Sequence, residues 1–146
     1  MTPLVGSWKC PGNFAAGALG PGSPEVSAFS TVKFKKDYDG FIYRGEVETK
    51  KQKGVATPTK DEIVLAWDPA AKQVLIWHFN STCAVIMARG KPQGDTLVTL
   101  GEIYTMSIKI ETRETHVVKG EREHYHKLEI DMGKGWMPVV EGNCTK

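Results

Sequence analysis

The sequence has 146 residues, of which 25% are charged and 40% hydrophobic, with a formal net charge of +2. Such a chain suits one domain, residues 1–146, with a real core; it is neither disordered nor fibrous in composition. The small net charge leaves no electrostatic footprint for nucleic acid, and no apolar run approaches the roughly 20 residues that a bilayer span needs.

In chain order, "MTPLVGSWKC" opens on a first strand without the basic start or apolar stretch of a signal peptide, and a mature form carrying an added Met1 fits it equally well. Residues 11 to 26, "PGNFAAGALGPGSPEV", carry too much Gly and Pro for a strand and too many apolar residues for an ordinary solvated loop. They are read as a lid over a barrel mouth, with Phe14 and Leu19 turned toward the cavity. Almost everything downstream reads as strand: "STVKFKK", "GFIYRGEVE" with Tyr43, "EIVLAW", "QVLIWHF", "CAVIMAR", "DTLVTL", "YTMSIKIETR", "REHYHKLEI" and "WMPVVEG". These runs are short, rich in β-branched and aromatic residues, and separated by turn material such as "DPAAK", "GKPQGD" and "DMGKG".

About nine or ten strands result, alternating an apolar with a wet face. With no amphipathic helix to cover such an up-and-down antiparallel meander, closure on itself is favoured. The expected fold is therefore all-β, a single antiparallel β-barrel. Within "YTMSIKIETR", Met106, Ile108 and Ile110 are expected on one face and Ser107, Lys109, Glu111 and Arg113 on the other. In "EREHYHKLEI" the same alternation puts His124, His126, Leu128 and Ile130 together on the apolar face. Titratable imidazoles thus stand where a core strand spends aliphatic side chains.

Three cysteines lack the paired spacing of a structural zinc site. Cys10 and Cys144, near opposite ends, could bridge if the fold joins first and last strands; three free thiols in a cytosolic protein are the alternative. Cys83 is read as a small buried core residue, Trp8 and Trp136 as plugs near the barrel closure, and His116, with Glu114 near a turn, as solvated. The His-x-His pair sets two rings about 7 Å apart at the backbone, and His78 could add a third, yet no acid is evident on that face to orient them. Neither a metal nor a cofactor is expected. Phosphate loops, nucleophile triads and nucleotide fingerprints are absent.

The segments "LVGSWKCPG", "WDPAAKQVLIW", "GDTLVTLGE" and "GWMPVVEGNCTK" together resemble a small bacterial family described as a domain of unknown function, DUF1579, similar to lipocalins and fatty-acid-binding proteins. The likeness spans nearly the whole chain and implies a lipocalin-like, calycin-type barrel. It also implies a Cys10–Cys144 disulfide and a periplasmic or secreted location, since secreted members carry both cysteines. The mid-chain strand of that family commonly holds an aromatic and an acid where this chain has His78 and Asn80. Its late strand commonly holds aromatics in place of His124 and His126. The expected function is binding of a small, largely apolar molecule with a polar group, lined by Phe14, Leu19, Tyr43, His78, Asn80, Met106, Ile108, His124, His126 and Leu128. The alternative is a cofactor-independent isomerase, cyclase or lyase in which His78, His124 and His126 do acid–base work. The expected partner is the small molecule, and a homodimer is compatible with the sequence.

Overall fold

A computed structural model describes residues 4–18, 22–55, 57–106 and 108–146. The strands are β1 (Gly6–Phe14), β2 (Val26–Asp37), β3 (Ile42–Thr49), β4 (Thr59–Asp68), β5 (Gln73–Asn80), β6 (Ala84–Gly90), β7 (Pro92–Gln93), β8 (Thr96–Thr105), β9 (Ile108–Val118), β10 (Glu123–Asp131) and β11 (Trp136–Thr145). Paired neighbours are antiparallel, β1 also pairs with β11 and β6 with β8, so ten strands close into a barrel while β7 adds a short flap on β8. A 3-10 turn at Tyr38–Gly40 links β2 to β3, and there is no α-helix among the described residues. No helix there is long and apolar enough to cross a membrane.

Closure needs two places where strands approach closely, and the sequence supplies glycine at both. A Cβ at Gly101 on β8 would run into the Met87 carbonyl of β6, and one at Gly142 on β11 into the Pro11 carbonyl of β1. Glycine in a strand costs backbone entropy, and these positions spend that cost on closing the ring. At the β1–β11 seam Cys10 and Cys144 form a disulfide.

The inner face of β2 to β6 holds the apolar core: Phe34, Tyr43, Leu65, Val74, Ile76, Ile86 and Ala88 pack with Trp8 and Cys144 from the seam. Outward positions between them are wet, as with Lys33 and Lys35 on β2. Alternation is not clean everywhere: Phe79, Met87 and Leu100 are exposed on the outer face of β5, β6 and β8.

Four local expectations are corrected. "YTMSIKIETR" is not one strand; the chain reverses after Thr105, which pairs with Ile108, and Met106 takes a positive φ of 43° in the turn. Residues 11–14 and 26 are strand rather than loop, because β1 and β2 pair through Phe14 and Val26. Cys83 is exposed in the β5–β6 turn at φ 68° and is not a core residue. Trp136 plugs nothing; it lies under the Arg113 guanidinium, 4.6 Å from the ring centroid, while that Arg113 also binds Glu129. Trp8 does fill the closure end, buried, with its indole donating to the Leu4 carbonyl at 2.7 Å.

Candidate functional site

Register alone assembles a polar wall inside the barrel. On β8 and β9, Thr99 lies opposite Glu114 and Leu97 opposite His116. On β9 and β10, His116 lies opposite His126 and Val118 opposite His124. Because directly opposed residues point to one face of the sheet, Thr99, Glu114, His116, His124 and His126 all share the inner face. His78 projects inward from β5, opposite Ile63 and Ile86, and its charge is felt at Glu114 and His126. The four histidines of the chain therefore meet in one interior.

Glu114 anchors the group. Its Oε2 stands 3.2 Å from His116 Nε2. The His116 ring is 5.0 Å from that of His126 and 6.0 Å from that of His124, and His124 meets Trp8 edge-on at 5.2 Å. Ligand atoms of Glu114, His116 and His126 all lie within 4.8 Å of one another, so these three could hold a metal ion. Across the barrel, Asp61 faces inward from β4 with its Oδ2 3.5 Å from His78 Nε2, within ion-pair range but outside hydrogen-bond geometry.

Burial and charge set the protonation of this wall. Burial pushes the Glu114 carboxyl up, but the hydrogen bond and charge of His116, with His126 and His78 behind them, outweigh it and hold the pKa at about 2. Burial, reinforced by the charge of His116, pulls His124 down to about 4. Burial and the same neighbour take His126 to about 3 despite the opposing carboxylate of Glu114. For Asp61, burial raises the pKa, but His78 and the Ser81 amide win and leave it lowered. At neutral pH the wall carries the buried Glu114 carboxylate beside the neutral imidazoles of His124 and His126.

Three buried side-chain atoms in this interior lack a hydrogen-bond partner: His78 Nε2, Thr99 Oγ1 and His124 Nδ1. Buried polar groups are nearly always paired, and an orphan costs about 1–3 kcal/mol.

The residues singled out from sequence spread over this architecture unevenly. His124, His126 and Leu128 share the polar wall, and Tyr43 belongs to the apolar core. Asn80 closes the β5–β6 turn, donating to Asp61 at 3.2 Å and accepting from the Thr82 amide at 2.7 Å. Phe14 ends β1 beside Val140 on the inner parity, and Leu19 lies outside the described residues, so the proposed lid is described only over 11–18 and 22–26. Met106 and Ile108 are 84% and 57% exposed at the β8–β9 hairpin, away from the histidines.

Sequence reasoning missed Glu114 and His116, read as solvated, and with them the acid that was held to be lacking beside the histidines. Thr99 and Asp61 were missed as well. The signal was present: Thr112, Glu114, His116 and Val118 continue the even-numbered face that begins at Ile110.

No protein-family model matches the chain, and no curated protein matches it. Among solved structures it is similar to the crystal structure of Rv2717c from M. tuberculosis, at 14% identity and a TM-score of 0.75, over 99% of this chain and 93% of that one. At that identity the likeness shows the fold alone, a closed antiparallel β-barrel.

Proposed function

We propose that this barrel binds a small, largely apolar molecule that carries a polar group. Its apolar part would lie toward the wall of Phe34, Leu65, Ile76 and Ile86, and its polar group toward Thr99, His78 and His124. The observation that carries this reading is the orphan set: an interior filled for stability alone would spend those positions on aliphatic side chains, whereas a ligand's polar group satisfies them on binding. The Cys10–Cys144 bridge supports an oxidising compartment, periplasmic or extracellular.

The test is a panel of medium-chain fatty acids, alcohols and aromatic acids. Trp8 sits 5.2 Å from His124, so its fluorescence reports on the polar wall. A saturable one-to-one response with a rise in Tm is expected for at least one class. It should weaken in His124→Phe, which keeps the bulk of the ring and removes the orphan nitrogen. No response and no Tm shift with any member would mean that the interior is simply filled, and turnover of a bound probe would move the reading from binding to catalysis.

A further inference from the structure

We propose that Glu114, His116 and His126 form a site for one first-row divalent cation of the zinc or ferrous class, on the inner wall of β9 and β10. Glu114 and His116 are two residues apart on β9, and His126 lies directly opposite His116 on β10. All three donors thus project from paired strands, the most rigid platform that a fold provides. A four-coordinate ion with bonds of about 2.0–2.2 Å needs its ligand atoms roughly 3.3–3.6 Å apart. Glu114 Oε2 and His116 Nε2 stand at 3.2 Å, already close to that edge. With all three ligand atoms inside 4.8 Å, His126 has only to close the remainder by turning its ring.

A carboxylate and imidazole that merely satisfy each other would explain Glu114 and His116 alone. They leave the convergence of His126 without a purpose, and they leave two neighbours unexplained. Thr99, fully buried and directly opposite Glu114, has an unpartnered hydroxyl, and His124, 7% exposed and stacked on His116, has an unpartnered Nδ1. Three protein ligands leave a coordination position open for water or an anion, and flanking donors and acceptors of this kind are what orient such a group. Two imidazole nitrogens and one carboxylate oxygen suit zinc, ferrous or cobaltous ions rather than calcium or magnesium, which take oxygen ligands. The proposal stands whether or not the barrel takes up an organic molecule.

The experiment uses untagged, metal-stripped protein with its disulfide intact, titrated with Co2+ as the probe and back-titrated with Zn2+. One equivalent should bind, with visible absorption of a four- or five-coordinate ion, and Zn2+ should displace it while millimolar Mg2+ should not. Glu114→Gln and His126→Asn should each weaken binding by at least about 100-fold, beyond what changes around the ligands produce. Glu111→Gln, an exposed carboxylate on the same strand, should leave affinity within about twofold. Wild-type affinity no greater than that of the Glu114→Gln/His126→Asn double variant would overturn the site. Because that variant could misfold, X-ray absorption of the zinc-loaded wild type decides independently: two imidazoles with a carboxylate support it, whereas a sulfur shell, implicating Cys83, or an all-oxygen shell overturns it.

Discussion

The two halves of this barrel use one strand geometry for opposite contents. The inner face of β2 to β6 is Phe34, Tyr43, Leu65, Val74, Ile76 and Ile86, while that of β8 to β10 turns to Thr99, Thr112, Glu114, His116, His124 and His126. The first wall gains about 25 cal/mol for each Å² of apolar surface withdrawn from water. The second gives part of that back, through a desolvated carboxylate, low-pKa imidazoles and unpaired polar atoms. Stability is therefore concentrated in one wall and chemical capacity in the other, and the two can be perturbed separately.

The largest effect should come from the seam where the walls are tied. The Cys10–Cys144 bridge spans 134 residues of sequence. In the chain-entropy model a loop of about 100 residues is worth nearly 5 kcal/mol, so Cys10→Ser/Cys144→Ser should lower Tm steeply. Denaturant midpoints of the double variant and of reduced wild type should agree; an unchanged midpoint would mean that strand pairing alone holds the seam.

Within the walls the contrast sharpens. Ile76→Ala, in the apolar wall, should cost about 2–5 kcal/mol by opening a cavity. His126→Leu, in the polar wall, should be neutral or stabilising, within about 1 kcal/mol, because an apolar residue of similar size replaces a desolvated ring. Equal losses at the two sites, read from urea unfolding, would erase the distinction drawn between the walls.

Mild acid, above the range in which carboxylates ordinarily titrate, should act chiefly on the polar wall. His124 and His126 have folded pKa values of about 4 and 3 against an ordinary 6.5, so below 6.5 the unfolded chain takes up protons that the folded one refuses. Stability then falls as pH drops through that window, by about 1.4 kcal/mol for each pKa unit of difference traversed at each ring. Glu114, held at about 2 against an ordinary 4.5, adds a second loss between those values, also on acidification. Unfolding free energies from urea titration at pH 7 and 5.5 should differ by roughly 2–3 kcal/mol in wild type and by about half that in His124→Phe. A flat profile would show that the rings titrate alike in the folded and unfolded chain, and that burial does not hold them neutral.

How much of this was legible depends on whether the information was local. The alternation in "EREHYHKLEI" placed His124, His126, Leu128 and Ile130 on the inner face, and the strand density with no covering helix led to the closed barrel; both are observed. The polar wall needed one more step, because its partner Glu114–His116 lies beyond a hairpin without the Asn-Gly or Asp-Gly signal of tight hairpins. "YTMSIK" has no Gly, Asn or Pro, yet the chain reverses there with Met106 at φ 43°, imposed by the pairing of Thr105 with Ile108. Read as one strand, that stretch ended too early and left His116 in solvent. Cys83 failed for a similar reason: a β-strand fragment by composition, it was taken into the β5–β6 turn by strand pairing that no local window contains.

The smallest predicted effect is also the most discriminating. Thr99 is fully buried, its hydroxyl has no partner, and it sits beside Glu114 at the centre of the polar wall. Valine has nearly the same shape, so Thr99→Val removes the oxygen without opening a cavity, and β-branching preserves the strand preference. If the hydroxyl is an uncompensated cost in the empty barrel, the variant should be more stable than wild type by up to about 1 kcal/mol while binding the best probe less tightly. Stability and affinity would then move in opposite directions, as expected of a side chain kept for what it binds. A loss of stability on Thr99→Val, measured in the absence of any probe, would instead mean that the hydroxyl is already satisfied by bound solvent, and that the polar wall is part of the scaffold.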